Sequence, residues 1–167
     1  MKKHRLLIAV LSCTLTFSTV TSCNDFLDAE NISNSNETQQ FDSTADTFTA
    51  LIGVYNQVMG DDGYGQRLNL YFPQSADDFK TSGDFNCNDR RGLSTYGACT
   101  SNPDLNRPFL KLYSGIERAN LAIKNIPLSQ VYSTGSAADK KLMDRYLGEA
   151  YTLRAQFYYD LIKNWGD

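Results

Sequence analysis

The chain has 167 residues and a formal net charge of −3, and 41% of its residues are hydrophobic while 21% are charged. This length allows one domain with one modest core, and the composition excludes a disordered or collagen-like chain. The mild acidity, without a basic stripe, argues against nucleic acid as a partner.

The chain begins with a segment typical of export. Lys2, Lys3 and Arg5 form a basic tip that leads into an apolar run over residues 6–20. The run is shorter than the roughly 20 apolar residues of a membrane-spanning helix, and serine and threonine residues dilute it. We predict a secretory signal peptide over residues 1–22 rather than a buried core helix, because the polar residues follow no single face.

The end of this segment resembles a bacterial lipoprotein signal. Small residues precede Cys23, and in such signals the cysteine receives fatty acids such as palmitate and becomes the new N-terminus. Val20 stands where the pattern prefers leucine, and ordinary signal-peptidase cleavage near Ser22 is the alternative. Two or more acyl chains anchor a protein stably, so Cys23 is predicted to be a lipid anchor and not a catalytic thiol.

Residues 23–40 are predicted to form a lipidated, flexible tether. The stretch is polar, rich in asparagine and serine, and has no periodicity. In lipoproteins of the Bacteroidetes, which this start resembles, acidic residues such as Asp25 and Asp28 near the cysteine often mark export to the cell surface. A solvated acidic linker would have the same composition.

Two cysteines remain once Cys13 has left with the signal and Cys23 carries lipid. Cys87 and Cys99 lie in a loop-like region, and an exported protein permits a disulfide between them. Two unpaired, half-buried thiols are the alternative. The only histidine, His4, lies in the predicted signal, so the sequence predicts no metal site and no cofactor.

Three amphipathic helices are predicted in the remainder of the chain, over residues 44–59, 102–126 and 136–164. Ser43, Asn102 and Ser136 are suited to cap the starts of these helices, and apolar residues recur along each at intervals of three and four. The predicted apolar stripes are Phe48, Leu51, Ile52, Tyr55, Val58 and Met59 in the first helix; Phe109, Leu112, Tyr113, Ile116, Asn120, Ile123 and Ile126 in the second; and Leu142, Tyr146, Ala150, Leu153, Phe157 and Leu161 in the third.

The segments between these helices differ in length. Residues 60–101 are irregular and rich in glycine, with a short helix at 66–71, and the turn-rich connection at 129–135 is short. The second and third helices should therefore pack as an antiparallel pair, the unit of tetratricopeptide-type stacks. No second copy of such a unit is visible at a period of about 34 residues.

Several short motifs resemble the SusD/RagB-like outer-membrane lipoproteins. They occur in the order expected for that family and are Ser22-Cys23-Asn24-Asp25-Phe26-Leu27-Asp28, Ala50-Leu51-Ile52-Gly53-Val54-Tyr55-Asn56, Tyr113-Ser114-Gly115-Ile116-Glu117-Arg118-Ala119-Asn120 with Ile126-Pro127, and Gly148-Glu149-Ala150-Tyr151-Thr152-Leu153-Arg154-Ala155 with Tyr158-Tyr159-Asp160-Leu161 and Asn164-Trp165-Gly166-Asp167. The resemblance implies an all-α fold of tetratricopeptide-like helical pairs with long irregular loops.

The resemblance also implies that residues 41–167 are the N-terminal part of a longer helical domain. Members of the family run to several hundred residues, and further helical pairs follow the Trp-Gly-Asp motif. The aromatic surface of the third helix would then pack against those later helices. The alternative is a short protein that covers this surface by self-association.

The function that the resemblance implies is capture without cleavage. Such lipoproteins sit on the outer face of the outer membrane, cap a SusC-type TonB-dependent transporter, and hold oligosaccharides, less often peptides, for import. The helical pairs form the transporter-facing side, and the irregular loops form the ligand face.

Glycan recognition needs flat aromatic faces and polar groups that bond hydroxyls. The irregular stretch 60–96 supplies both, and we predict Tyr64, Tyr71, Asp77 and Asp78 as ligand-binding residues. The alternative is that these aromatic residues pin a long loop to the helices.

Polar residues of the helical motifs are predicted to be structural. Arg118, Asn120 and Arg154 should connect helices through glutamates or backbone carbonyls, because a half-buried arginine needs partners. Trp165 should pack within the helical scaffold.

An enzyme is the least favoured function. Asp61-Asp62 and Asp77-Asp78 invite a two-carboxylate glycosidase interpretation, but adjacent aspartates seldom face each other across a bond as that chemistry requires. No histidine remains for a triad, and no glycine loop marks a phosphate site. A peptide- or protein-binding helical scaffold is the stronger alternative.

Overall fold

The computed structural model describes residues 39–166. The predicted signal peptide at 1–22, the predicted anchor Cys23 and nearly all of the predicted tether at 23–40 lie outside this range. Within it, every regular element is helical. The α-helices are α1 (Thr44–Val58), α2 (Arg90–Ser94), α3 (Pro103–Asn125), α4 (Gln130–Thr134) and α5 (Ala137–Trp165).

Helix α1 begins where the sequence predicts and ends one residue earlier. The Ser43 hydroxyl accepts a hydrogen bond from the backbone N–H of Asp46 at 3.1 Å, which caps the helix. At the other end Gly60 adopts φ +83°, and a side chain at Gly65 would place its Cβ 2.6 Å from the Gly60 carbonyl oxygen. Glycine is therefore required in this turn.

Helices α3 and α5 also confirm the predicted starts. The Asn102 side chain caps α3 by accepting from the backbone N–H of Asp104 at 2.8 Å. Ser136 and Asp139 form a reciprocal capping box at the start of α5, with each backbone N–H donating to the other side chain at 3.2 Å. Helix α5 ends at Trp165, where Gly166 adopts φ +82°.

Short helical elements occupy two segments that the sequence describes as irregular. The connection at 129–135 contains α4, because the Ser129 hydroxyl accepts from the backbone N–H of Val131 at 3.2 Å and so starts a helical turn. The predicted helix at 66–71 is confirmed as a π-helical turn over Arg67–Tyr71. A 3₁₀ turn at Phe72–Ser75 and helix α2 also lie in the glycine-rich segment.

Helices α1, α3 and α5 pack together around one core, and α3 and α5 form the predicted antiparallel pair. Antiparallel pairing follows from the contacts of Phe109 with Trp165 at one end and of Asn120 with Arg154 farther along. Between them the helices approach so closely that a Cβ on Gly115 would lie 2.7 Å from the Phe157 ring. The fully buried large side chains of the core include Leu51, Val54, Leu112, Ile126, Met143 and Phe157.

The predicted apolar stripe of α5 is confirmed, whereas that of α1 is partly wrong. In α5 all six predicted residues are buried or half-buried. In α1 the buried residues are Thr47, Leu51, Val54 and Gln57. Because α1 packs against two helices at once, its buried face is centred on Leu51 and Val54, and several apolar residues remain outside it. These exposed residues are Phe48, Ile52, Tyr55 and Met59.

No helix within residues 39–166 combines the length and apolarity needed to span a membrane.

Candidate ligand-binding site

The irregular segment 60–101 is tied to the helices by buried polar contacts. The Tyr64 hydroxyl donates to the Asp160 carboxylate at 2.7 Å and accepts from the Gln156 side-chain amide at 2.9 Å. Gln156 also donates to Asp160 at 3.1 Å. Asp160 is only 3% exposed, so this network satisfies a carboxylate that would otherwise be buried without partners.

The environment of Tyr64 changes its acidity. Burial of the ring, with the hydrogen bond to the Asp160 carboxylate, raises the pKa of Tyr64 to about 12. Tyr64 is one of the four predicted ligand-binding residues, and its hydroxyl is already engaged within the protein. Only the ring of Tyr64 therefore remains for contact with a ligand.

A second network surrounds Arg67 at the start of the π-helical turn. Its guanidinium donates to Asp104 at 3.0 Å and to Asp62 at 2.6 Å, and lies 5.9 Å from the centre of the Tyr71 ring. Asp62, one of the carboxylates considered for glycosidase chemistry, is thus held in an ion pair. The network thus joins the π-helical turn, which carries the half-buried Tyr71, to the start of α3 through Asp104.

Asp77 and Asp78 lie in a different local environment. They occupy the centre of a turn closed by the backbone N–H of Phe79, which donates to the Ala76 carbonyl at 3.2 Å. Both aspartates are exposed. Their place on an exposed turn leaves both carboxylates accessible to a ligand, in contrast to the buried hydroxyl of Tyr64.

Three exposed aromatic residues in this segment did not enter the predicted site. Phe79, Phe85 and Tyr96 each expose more than half of their surface, and Tyr96 exposes 80%. The Tyr96 hydroxyl donates to the Ser75 carbonyl, and its backbone adopts φ +55°, an uncommon value for a residue with a side chain. The signal in the sequence is only the density of aromatic residues, which does not indicate which rings face solvent.

Tyr96 lines a cavity of about 370 Å³ that we call the loop cleft. It lies between the irregular segment and the end of α5. Its walls combine apolar side chains, two of them aromatic, with groups that can bond hydroxyls, namely Phe72, Leu93 and Tyr96 with Ser75, Lys163 and Asn164. This combination of a flat ring with a few polar groups suits a sugar.

A larger and more apolar depression of about 660 Å³ runs between α3 and α5, and we call it the helix groove. Tyr113, Ile116 and Tyr158 form its apolar surface, while Glu117 and Lys124 supply its charges. A groove of this composition suits the apolar side of a helix or peptide better than a sugar.

Cys87 and Cys99 meet at the base of α2, where both are half-buried free thiols. The backbone N–H of Cys99 donates to the Cys87 carbonyl at 3.1 Å. A hydrogen bond between the two side chains raises the pKa of the Cys87 thiol and lowers that of Cys99. The structure thus brings together the two cysteines for which the sequence leaves open a disulfide or two unpaired thiols.

The residues predicted to connect helices do so. The Arg118 guanidinium donates to the Gly53 carbonyl at 3.0 Å and so joins α3 to α1. Arg154 donates to the Asn120 side chain at 2.7 Å and joins α5 to α3. Trp165 packs at the end of α5, with its ring centre 5.1 Å from that of Phe72.

The part of the chain that the structure describes contains no cluster of three or more metal-ligating side chains.

Comparison with known proteins supports one family. No protein-family model matches the chain. The sequence is 27% identical to SusD-like protein P38 of Formosa agariphila over 99% of this chain and 30% of that protein. The structure is similar to that of a SusD homolog from Bacteroides thetaiotaomicron, with a TM-score of 0.67 and 25% identity over 79% of this chain and 24% of that one.

The chain therefore spans about a third or less of the length of both proteins that it matches. Its helical order, its antiparallel pair and its sequence agree with the predicted family. In sequence and in fold the chain is similar to SusD-like proteins, and its described residues form an all-α structure.

Proposed function

We propose that the protein captures oligosaccharides at the cell surface and delivers them, uncleaved, to a SusC-type TonB-dependent transporter. A lipid on Cys23 would hold it to the outer membrane, facing the cell exterior. The proposal is supported by the SusD-like sequence and fold. It also agrees with the signal-like start of the chain.

The observation that carries the proposal is the loop cleft. Tyr96 presents a ring that is 80% exposed, beside the polar groups of Ser75, Lys163 and Asn164. Sugars offer a flat apolar face and a rim of hydroxyls, so one ring with several bonding groups is the arrangement that recognises them. The exposed carboxylates of Asp77 and Asp78 would extend the same surface.

The cleft also constrains what Tyr64 and Tyr71 would contribute. Tyr64 bonds Asp160, and Tyr71 lies against Arg67. We propose that these two residues act on the ligand chiefly by holding the segment that bears Tyr96, Asp77 and Asp78. Direct contact by either ring stays a prediction.

A second candidate function is binding of a peptide or protein. The helix groove favours it, because Tyr113 and Tyr158 expose apolar surface between α3 and α5 beside Glu117 and Lys124. The apolar side chains of a bound peptide would lie in this groove, in the way that the apolar face of an amphipathic helix lies in a hydrophobic groove.

Titration calorimetry of the complete protein separates these functions. A panel of oligosaccharides and a panel of peptides are each titrated, and the sugars are recovered afterwards. We expect heat from at least one oligosaccharide, none from the peptides, and intact sugar at the end. Binding of peptides alone would favour the second function, and shortened sugars would indicate an enzyme.

The anchor is tested separately. Cells expressing the protein are grown with a clickable fatty acid, and the wild type is compared with Cys23→Ser. We expect label and membrane fractionation for the wild type only, because lipidation needs the thiol. Label on the Cys23→Ser variant, or an unlabelled and freely soluble wild type, would contradict the proposed anchor.

A further inference from the structure

We propose that Cys87 and Cys99 form an intrachain disulfide that fixes α2 to the start of α3. The proposal goes beyond ligand capture and rests only on the proposed export, because disulfides persist in oxidising compartments.

The backbone already holds the two cysteines side by side. The N–H of Cys99 donates to the Cys87 carbonyl at 3.1 Å. Disulfides need Cα atoms about 4.4–6.8 Å apart, and a direct backbone hydrogen bond keeps two residues near this separation. Oxidation would therefore require side-chain rotation rather than refolding.

The surrounding contacts hold this geometry. The Asn102 side-chain amide donates to the Cys87 carbonyl at 2.8 Å and to the Asp89 carbonyl at 3.0 Å. Gly92 lies against Cys87, so that a Cβ at Gly92 would be 2.9 Å from the Cys87 backbone. Asn102 is fully buried and caps α3. The cysteine pair is thus part of the joint between α2 and the long helix.

The two thiols are not equivalent. The Cys99 thiol donates to the Asn88 side-chain oxygen at 2.8 Å and lies 3.3 Å from the Ser101 hydroxyl. Hydrogen bonds from the Cys87 side chain and from the Ser101 hydroxyl to a thiolate at Cys99 lower the pKa of Cys99, whereas the pKa of Cys87 is raised. Cys99 is therefore the thiol that reacts first, since the thiolate is the nucleophile.

The oxidant that the step needs is a protein disulfide donor of the envelope. The Cys99 thiolate attacks one sulfur of the donor disulfide and forms a mixed disulfide, and the donor's other sulfur leaves as a thiolate. Cys87 then loses its proton and attacks the Cys99 sulfur, which releases the second donor thiolate. The two cysteines lose two protons and two electrons in total, and the donor disulfide becomes a dithiol.

The bond would stabilise one wall of the loop cleft. The Leu93 carbonyl in α2 accepts from the Ser75 hydroxyl at 3.2 Å, so that fixing α2 also fixes the 3₁₀ turn beside it. Closing a loop of this size is expected to raise the midpoint of thermal unfolding by on the order of 10 °C.

Trypsin provides a direct test, because Arg90 and Arg91 lie between the two cysteines. The full chain is purified from the cell envelope, alkylated without reduction, and digested. We expect the Cys87 and Cys99 peptides joined by one disulfide, and unjoined after reduction. Recovery of both peptides in alkylated form without reduction would overturn the proposal.

Two controls keep the result interpretable. Cys87→Ser and Cys99→Ser should each leave one alkylated cysteine and abolish the lowering of the unfolding midpoint that reduction causes in the wild type. In glutathione redox buffer the purified full chain should form the same bond. A bond that forms in buffer but not in cells would overturn the proposal for the cell, because the proposal depends on export to an oxidising compartment. Sugar binding by the reduced protein is measured independently, so that failure of the disulfide is distinguished from failure of ligand capture.

Discussion

The Tyr64 hydroxyl lies 2.7 Å and 2.9 Å from the two carboxylate oxygens of Asp160, which joins the irregular segment to α5 across 96 positions of sequence. The bond supplies a donor to a carboxylate that is almost wholly buried. Its removal should therefore affect the folding of the whole described part of the chain.

Tyr64→Phe should lower the free energy of unfolding by about 1 to 2 kcal/mol, because it removes one donor from a buried carboxylate and leaves Gln156 as a partner. Tyr55→Phe is the matched control, since the Tyr55 hydroxyl donates at 3.0 Å to Glu149 at the surface. That control should change stability by less than about 0.5 kcal/mol. Urea unfolding measures both, and equal losses would contradict the assigned role of Tyr64.

The raised pKa of Tyr64 predicts a loss of stability in alkali. Its pKa is about 12 in the folded protein against 10.0 for a free tyrosine, and Tyr132, which donates to Asp144, has a similar shift. The folded state therefore keeps these protons when the unfolded state has lost them, and stability falls as pH rises from about 10 towards 12.

The decline should be shallower in Tyr64→Phe, which cannot titrate at that position. The free energy of unfolding in urea is measured for both proteins between about pH 9 and about pH 11.5, at steps of about half a pH unit. A wild-type free energy of unfolding that stays constant or rises over this pH interval would contradict the raised tyrosine pKa values.

Two helical glycines should respond to alanine in opposite directions. A Cβ at Gly115 would lie 2.7 Å from the Phe157 ring, whereas a Cβ at Gly148 would meet nothing within 4 Å. Gly115→Ala should lower stability by about 1 to 3 kcal/mol through overpacking. Gly148→Ala should raise it by about 0.5 to 1 kcal/mol, because alanine restricts the unfolded chain. A stabilising Gly115→Ala would show that α3 and α5 do not approach as described.

Arg67 should matter more than a surface arginine. It pairs with Asp104, and both side chains are nearly buried, so Arg67→Met should cost about 2 to 3 kcal/mol by leaving that carboxylate without its cation. Arg145→Met removes the exposed pair with Glu149 and should cost less than about 1 kcal/mol. Thermal unfolding compares the two variants, and an equal or smaller loss at Arg67 would argue against an ordered π-helical turn.

The sequence predicts the long helices well because their signals are local. Ser43, Asn102 and Ser136 cap the helices that they were predicted to start, and the stripe of α5 reaches the core. The stripe of α1 is only partly right, since the exposure of Phe48 and Ile52 depends on how two other helices pack against it. The spacing of apolar residues indicates which face of a helix is apolar, but it does not indicate how many other helices pack against that helix.

The candidate site is harder to predict because its contacts are distant in sequence. Nothing near Tyr64 indicates that Asp160 will accept its hydroxyl, and nothing near Tyr96 indicates that Lys163 and Asn164 will share its cleft. The sequence therefore indicates a segment that lines the candidate loop cleft, but it does not distinguish rings that pin this segment from a ring that faces solvent.

The most direct test of the account is sugar binding by variants of Tyr96 in the complete protein. An oligosaccharide that binds the wild type is titrated into Tyr96→Ala, Tyr96→Phe and, as a control on the exposed surface of α5, Tyr159→Ala. We predict about tenfold weaker binding for Tyr96→Ala and wild-type affinity for the other two, because the ring supplies the contact. Wild-type affinity in Tyr96→Ala would contradict the loop cleft as the binding site.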